Sequence, residues 1–216
     1  FQDHIIPTLL GRDIDDFETL TQDVQHCIVK NNSAKAAADM ALWDLYGKKY
    51  GIPVYKMWGA SRNKLITDIT ISVNAPEEMA KDALTAVQRG YDTLKVKVGI
   101  DPSLDLMRLE AIRNAVGPQI RIRIDANQAW KPKQVVMLLQ QMQDKGLDIE
   151  LVEQPVPAHD IIGLKYVTEH SYIPVLADES VFSAEDALKI LQMQAADFIN
   201  IKLMKCGGLT NALKIA

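Results

Sequence analysis

The chain has 216 residues, 48% apolar and 24% charged, with a formal net charge of −4, the balance of an ordinary globular fold rather than a collagen-like, disordered or membrane-embedded one. A pI near 5.6 leaves no basic footprint for nucleic acid and points to a small-molecule partner. The apolar runs are strand-sized and interrupted by charge, far short of the roughly 20 residues that cross a bilayer.

The opening residues FQDHIIPTLLGRDIDD carry none of the marks of a secretory signal. They also lack an initiating methionine, so an earlier start is expected. Cys27 and Cys206 stand far apart in no metal or redox spacing, which suggests neither a disulfide framework nor a zinc site and agrees with a reducing cytoplasm. From Ser33, SAKAAADMALWDLYGKKYG reads as a helix. Asn32 or Ser33 caps it, alanines favour it, Gly51 and Pro53 end it, and Ala37, Met40, Ala41 and Leu45 form its expected buried stripe. Residues 1–60 are therefore expected to form a helical domain, with VYKMWGASRN leading into a second domain over 61–216.

Beyond that connector, β-type runs alternate with amphipathic ones. Strands are predicted at TDITISVN (67–74), TLKVKVG (93–99), IRIRIDAN (120–127), IELVEQP (149–155), IPVLADES (173–180) and FINIKLM (198–204). Strand and helix in repeating alternation build a parallel sheet with right-handed crossovers. From Lys97 to Asp125, Glu153, Asp178 and Lys202 the spacings are 28, 28, 25 and 24 residues, each one βα unit. Polar residues gathered at the C-terminal strand ends indicate an α/β fold of the (β/α)8, TIM-barrel type rather than an open doubly wound sheet. Six strands cannot close such a barrel, so the chain is expected to be part of a longer polypeptide.

Side chains alternate faces along a strand. With Leu94, Val96 and Val98 turned to the helices, Lys95 and Lys97 point inward. The same parity turns Arg121, Arg123 and Asp125 inward against Ile120, Ile122 and Ile124, and Asn200 and Lys202 inward against Ile199 and Ile201. An ionised group inside a barrel costs several kcal/mol unless it is partnered. Three acids at consecutive strand ends, Asp125, Glu153 and Asp178, call for a cation, and an all-oxygen set favours Mg2+ over Zn2+. Alone, a K-x-K pair is more often a solvated edge, and a strand-end aspartate more often caps the next helix. Neither explanation covers three lysines and three acids in one register on five consecutive strands.

The segments TLKVKVG, RIDANQAW, ELVEQP, LADES and NIKLMKCGG resemble, in order and spacing, the muconate-lactonizing-enzyme subgroup of the enolase superfamily. With ISVNAPEEMAKDA before the lysine pair, the chain is most similar to the dipeptide epimerases that act on L-Ala-D/L-Glu. The resemblance runs from the helix at Ser33 to the last residue. It implies a barrel with an α+β capping domain, of which residues 1–60 are the helical part. Asp125, Glu153 and Asp178 are implied as Mg2+ ligands, Lys97 and Lys202 as acid/bases on opposite faces of the substrate, and Lys95 and Thr70 as substrate contacts. A cytoplasmic isomerase acting on a small carboxylate, as a homo-oligomer at full length, is the expectation that follows. An unperturbed lysine titrates near 10.4; Lys95 and Mg2+ beside Lys97 are expected to lower its pKa toward that of a base.

Two bases on opposite faces invert a stereocentre, whereas a muconate cycloisomerase or o-succinylbenzoate synthase type of reaction needs one. A barrel that binds without catalysis, or a fragment too incomplete to act, is a further alternative. The family's Asp-x-Asp motif on the eighth strand and its capping loops, which choose the substrate, have no counterpart in these residues. Cys206 is expected to be buried packing, Gly207-Gly208 to begin a turn or helix, and His4, His26, His159 and His170, in no metal or triad spacing, to have surface or structural roles.

Overall fold

The structure is a computed structural model and describes residues 1–62 and 64–216. Its elements run α1 (Ile5–Leu9), α2 (Phe17–His26), α3 (Asn32–Tyr50), α4 (Val54–Met57), β1 (Ile69–Ile71), α5 (Pro76–Gln88), β2 (Thr93–Lys97), α6 (Pro102–Val116), β3 (Arg121–Asp125), α7 (Pro132–Asp144), β4 (Ile149–Glu153) and α8 (Ile161–His170). They close with β5 (Val175–Ala177), α9 (Ala184–Met193), β6 (Phe198–Ile199), α10 (Leu203–Cys206) and α11 (Leu209–Ile215). The chain packs as two compact units: residues 1–65, 181–187 and 201–216 make the first, and residues 66–180 and 188–200 the second. This division runs differently from a single cut near residue 60, because the late segments around α10 and α11 pack with the N-terminal helices.

In the first unit Ile5, Leu20, Val24, Ala38 and Leu42 form an apolar core, each side chain withdrawn from water at about 25 cal/mol per Å2. The predicted stripe on α3 is corrected: Ala37 and Ala41 are exposed and Leu45 is 53% exposed, while Lys35, Ala36, Ala38, Asp39 and Leu42 are buried. Two charges sit in that stripe because distant backbone satisfies them. Lys35 Nζ donates to Gln25 O at 2.7 Å, and Asp39 Oδ2 accepts from Thr210 N at 3.1 Å. The N-cap is Asn31 in the left-handed region, without a side-chain cap, whereas Asn32 Nδ2 reaches Lys205 O. Gly51, with φ 66°, ends the helix as expected.

Asp39 caps α11 from another element. A Cβ on Gly208, whose φ is 117°, would lie 2.4 Å from Asp39 Oδ2, so only glycine lets this carboxylate reach the helix start. Burial pushes the Asp39 carboxyl up, against the opposing hydrogen bonds from Thr210 and Leu209. A group whose folded pKa is raised contributes stability that is full below the unfolded pKa and lost as pH rises through the folded one. Asp39→Ala is therefore expected to cost about 1–2 kcal/mol, with a larger loss at pH 4 than at pH 7. Denaturant melts at the two pH values check both size and sign.

The second unit is a six-stranded parallel sheet in the order β1-β2-β3-β4-β5-β6. Sequential neighbours without a reversal are the arrangement of a (β/α)8-type barrel, not of a doubly wound sheet, and six of its strands are present. Leu94, Val96, Ile122, Ile124, Val152 and Val175 are fully buried, as are Met79, Leu109, Ile112, Leu139, Met142 and Leu164 on the helices. Pro102 opens α6 beneath Asp101, whose side chain accepts from Ser103 N and Leu104 N. Proline at the first helical position loses no needed donor and stops the preceding strand run. Pro76 and Pro132 open α5 and α7 in the same way.

The strands are shorter than the sequence predicts, and most of the excess lies at their C-terminal ends. There Asn127, Gln128 and Gln154 take positive φ values of 42°, 71° and 32°, which turn the backbone out of the ladder. The predicted strand 198–204 is corrected most: it ends at Ile199, and Leu203 already begins α10.

Candidate active site

The site grows from the register of the parallel strands. Lys97 pairs with Asp125 across β2 and β3, and Asp125 pairs with Glu153 across β3 and β4. These are the last residues of their strands, and Asp178 follows Ala177, the last residue of β5. One row deeper, Thr70, Lys95 and Arg123 are register partners. The alternation that hides Leu94 and Val96 among helices leaves Lys95 and Lys97 together on the opposite face. Thr70 lies exposed beside Lys95 on the short strand β1.

Asp125, Glu153 and Asp178 are 0%, 3% and 1% exposed, which makes their charges costly without compensation. The Lys95 ammonium lies 2.9 Å from Asp125 Oδ2 and 2.6 Å from Glu153 Oε2. Lys97 Nζ reaches Asp125 Oδ2 at 2.8 Å and Asn127 Oδ1 at 2.6 Å. Burial pushes the Glu153 carboxyl up; Lys95 opposes this, while Asp125 and Asp178 add to it. Burial acts to lower the Lys95 pKa, but the hydrogen bonds and charges of Glu153 and Asp125 outweigh it and hold the amine above its ordinary value. Lys95 is thus a fixed ammonium and counter-ion to two carboxylates.

The same three acids are the donors that would hold a metal. Among the described residues no three His, Cys, Asp or Glu side chains already converge as an ion-binding cluster; instead the Lys95 ammonium spans Asp125 and Glu153. The donor chemistry fits a hard divalent cation, because the set is carboxylate oxygen without nitrogen or sulfur, and its buried negative charge is stabilised by cation.

Arg123 and Arg121 extend the charged interior but pair locally. Arg123 bonds Glu150 and reaches Asp68 Oδ2 at 3.1 Å; Arg121 reaches Asp92 Oδ1 at 3.1 Å. Asn200 turns inward as its parity predicts, donating Nδ2 to Glu153 Oε1 at 3.1 Å. Lys202, expected on the same strand, is instead the extended N-cap residue of α10, with φ −111° and ψ 122°. Cys206 is buried, with Sγ near Leu203 O and Gly208 O, as packing requires.

Three neighbours of the acids were not singled out in the sequence. Gln154, fully buried after Glu153, accepts from Asp178 N and Ser180 N at 2.8 and 3.1 Å and donates to Ser180 Oγ at 2.8 Å. It thereby ties the end of β4 to the Asp178 loop. Asn127 binds Lys97 on one side and Glu179 on the other. Their signal is position: each directly follows, or follows by two residues, one of the strand-end acids. A polar cleft of about 330 Å3 in the first unit is lined by Gln25, Asn32, Lys35, Cys206, Asn211 and Lys214. Its polar side chains bond one another and nearby carbonyls, so it does not compete with the carboxylate site as the place of chemistry. No helix among the described residues is long and apolar enough to cross a membrane.

Comparison with known proteins agrees with this geometry. Residues 78–216 match the enolase C-terminal domain-like family, and residues 1–59 match the mandelate racemase / muconate lactonizing enzyme N-terminal domain. The chain is 56% identical over 212 residues to an L-Ala-D/L-Glu epimerase of Clostridium acetobutylicum, covering 98% of this chain and 59% of that one. It is similar to the substrate-liganded L-Ala-D/L-Glu epimerase of Bacillus subtilis, with a TM-score of 0.97 and 48% identity over 99% of this chain and 60% of that one. The dipeptide epimerase of Enterococcus faecalis, complexed with Mg and L-Leu-L-Tyr, gives a TM-score of 0.93 and 44% identity over 98% and 59%. The chain thus spans about three-fifths of the length of these relatives.

Proposed function

Since the chain belongs to the mandelate racemase / muconate lactonizing enzyme family, with its enolase-like C-terminal domain over residues 78–216, we propose that the full-length protein is a Mg2+-dependent dipeptide epimerase. It inverts the carbon α to the terminal carboxylate of a substrate such as L-Ala-L-Glu. The observation that carries this reading is the Lys97 amine held at the rim of three buried strand-end carboxylates. Relatives at 49–56% identity are L-Ala-D/L-Glu epimerases, and one at 50% is a hydrophobic dipeptide epimerase, which supports a dipeptide and leaves the side chain to be tested. Residues 1 to about 60 are read as the helical part of a capping domain. Two free cysteines agree with a cytoplasmic site of action.

A proton α to a carboxylate is a very weak acid, because its removal leaves an enediolate with two negative oxygens. Asp125, Glu153 and Asp178 would hold Mg2+, which supplies the electrostatic stabilisation that this charge requires. Lys97 takes the proton from one face, and Lys202 returns one to the other. Lys95, kept cationic by Asp125 and Glu153, faces the incoming carboxylate, with Thr70 beside it. Inversion follows from the two-sided exchange.

The test is proton exchange by the full-length protein with Mg2+ in D2O, using L-Ala-L-Glu and L-Ala-D-Glu. Deuterium is expected at the glutamyl α-carbon with interconversion of the two epimers. Absence of exchange with these and with hydrophobic dipeptides rejects the reading. A product of new constitution from a muconate or a succinylbenzoate precursor would move the protein to a one-base reaction of the same family.

A further inference from the structure

We propose that Asn127 and Glu179 form a positioning pair that fixes where the Lys97 amine points, an inference that rests on reading Lys97 as an acid/base. Asp125 Oδ2 cannot do this alone, because Lys95 Nζ at 2.9 Å and Lys97 Nζ at 2.8 Å share that oxygen. Asn127 Oδ1, at 2.6 Å from Lys97 Nζ, is the acceptor that sets Lys97 apart from its neighbour. A lysine amine sits on a flexible four-carbon stem with three rotatable donors, and the Lys97 side chain is 30% exposed. Without a second fixed acceptor the amine would sweep an arc. An acid/base must instead lie within hydrogen-bond reach of the proton that it moves.

The amide orientation is what makes Asn127 an acceptor, and Glu179 decides it. Asn127 Nδ2 lies 3.0 Å from Glu179 Oε1. Glu179 Oε1 accepts from the amide NH2, so the NH2 faces Glu179 and the carbonyl oxygen faces Lys97. A flipped amide would set its NH2 against the N–H donor that Lys97 points at Asn127. Glu179 Oε2 is buried and accepts no hydrogen bond among the described residues, a cost that the structure tolerates while Oε1 holds the amide. The backbone helps: Asn127 adopts φ 42° and donates its N–H to Asp125 Oδ1 at 3.0 Å. Asparagine tolerates that left-handed region better than most residues, and the bond ties the Asn127 backbone to the last residue of β3.

The experiment uses the full-length protein at saturating Mg2+ and follows α-proton exchange in D2O from L-Ala-L-Glu and from L-Ala-D-Glu separately. Lys97→Ala first identifies the epimer whose exchange depends on Lys97. In Glu179→Gln, whose amide no longer forces the orientation of Asn127, the ratio of the two exchange rates is expected to shift roughly tenfold against that epimer. The swapped pair N127D/E179Q restores a fixed acceptor toward Lys97, with the glutamine now donating, and should bring the ratio back to within about threefold of the wild type. Equal slowing of both epimers by Glu179→Gln, or no recovery in the swapped pair, would overturn the positioning role while leaving the epimerase reading intact. A wild-type protein that exchanges neither epimer overturns both.

Discussion

Lys97→Ala in the full-length protein is expected to slow epimerisation by about 10²–10⁴-fold, the range in which a positioned acid or base contributes, with little change in melting temperature. On the proposed mechanism the rate falls because the amine at the end of β2 would be the group that moves the proton, and alanine offers no substitute. Stability should hold because Lys97 is a partly exposed rim residue, and Asp125 keeps its contact with Lys95 at 2.9 Å after the substitution. Lys202→Ala should produce a loss of similar size, yet the epimer that still exchanges its α-proton should be the opposite one. Turnover by polarimetry, read beside exchange from each epimer and a thermal melt, separates the cases. Loss of exchange from the same epimer in both variants would reject the two-base mechanism, and a large fall in melting temperature would make Lys97 a structural residue.

Much of this site was legible because parallel strands impose one rule on many residues. The parity that buries Leu94 and Val96 places Lys95 and Lys97, and the same parity places Asp125 and Asn200. The regular βα spacing then predicts which strand ends become neighbours. What could not be read locally was decided by distant partners. Lys35 and Asp39 lie in the buried stripe of α3 because a carbonyl at Gln25 and the start of α11 satisfy them, so a search for apolar periodicity chose the wrong face. The last strand was overextended because its pattern continues past Ile199, whereas the chain turns into α10 at Leu203. Gln154, Asn127 and Glu179 carry no periodic signal; their roles come from left-handed turns and hydrogen bonds that link one strand end to the next.

The second large effect concerns charge. Lys95→Met is expected to cost the fold roughly 3–5 kcal/mol in Mg2+-free buffer, the usual result of removing one partner from a buried ion pair. Methionine keeps the apolar stem but removes the ammonium that bridges Asp125 Oδ2 and Glu153 Oε2, so two carboxylates less than 5% exposed lose the charge they share and keep only weaker support, Lys97 at Asp125 and the Asn200 amide at Glu153. If these acids and Asp178 are the Mg2+ ligands, the ion should return much of that loss. Binding to the folded state alone stabilises by about 2.7 kcal/mol at a hundredfold excess over Kd. The wild type should gain less, since Lys95 already neutralises part of the same charge and repels an arriving cation. Melts of both proteins with and without Mg2+ test this, and equal gains for the two would place the ion elsewhere. Lys95 and the metal would then act as partial substitutes for stability but not for catalysis, because a fixed ammonium balances the resting carboxylates whereas the enediolate brings new negative charge that a divalent ion is better able to meet.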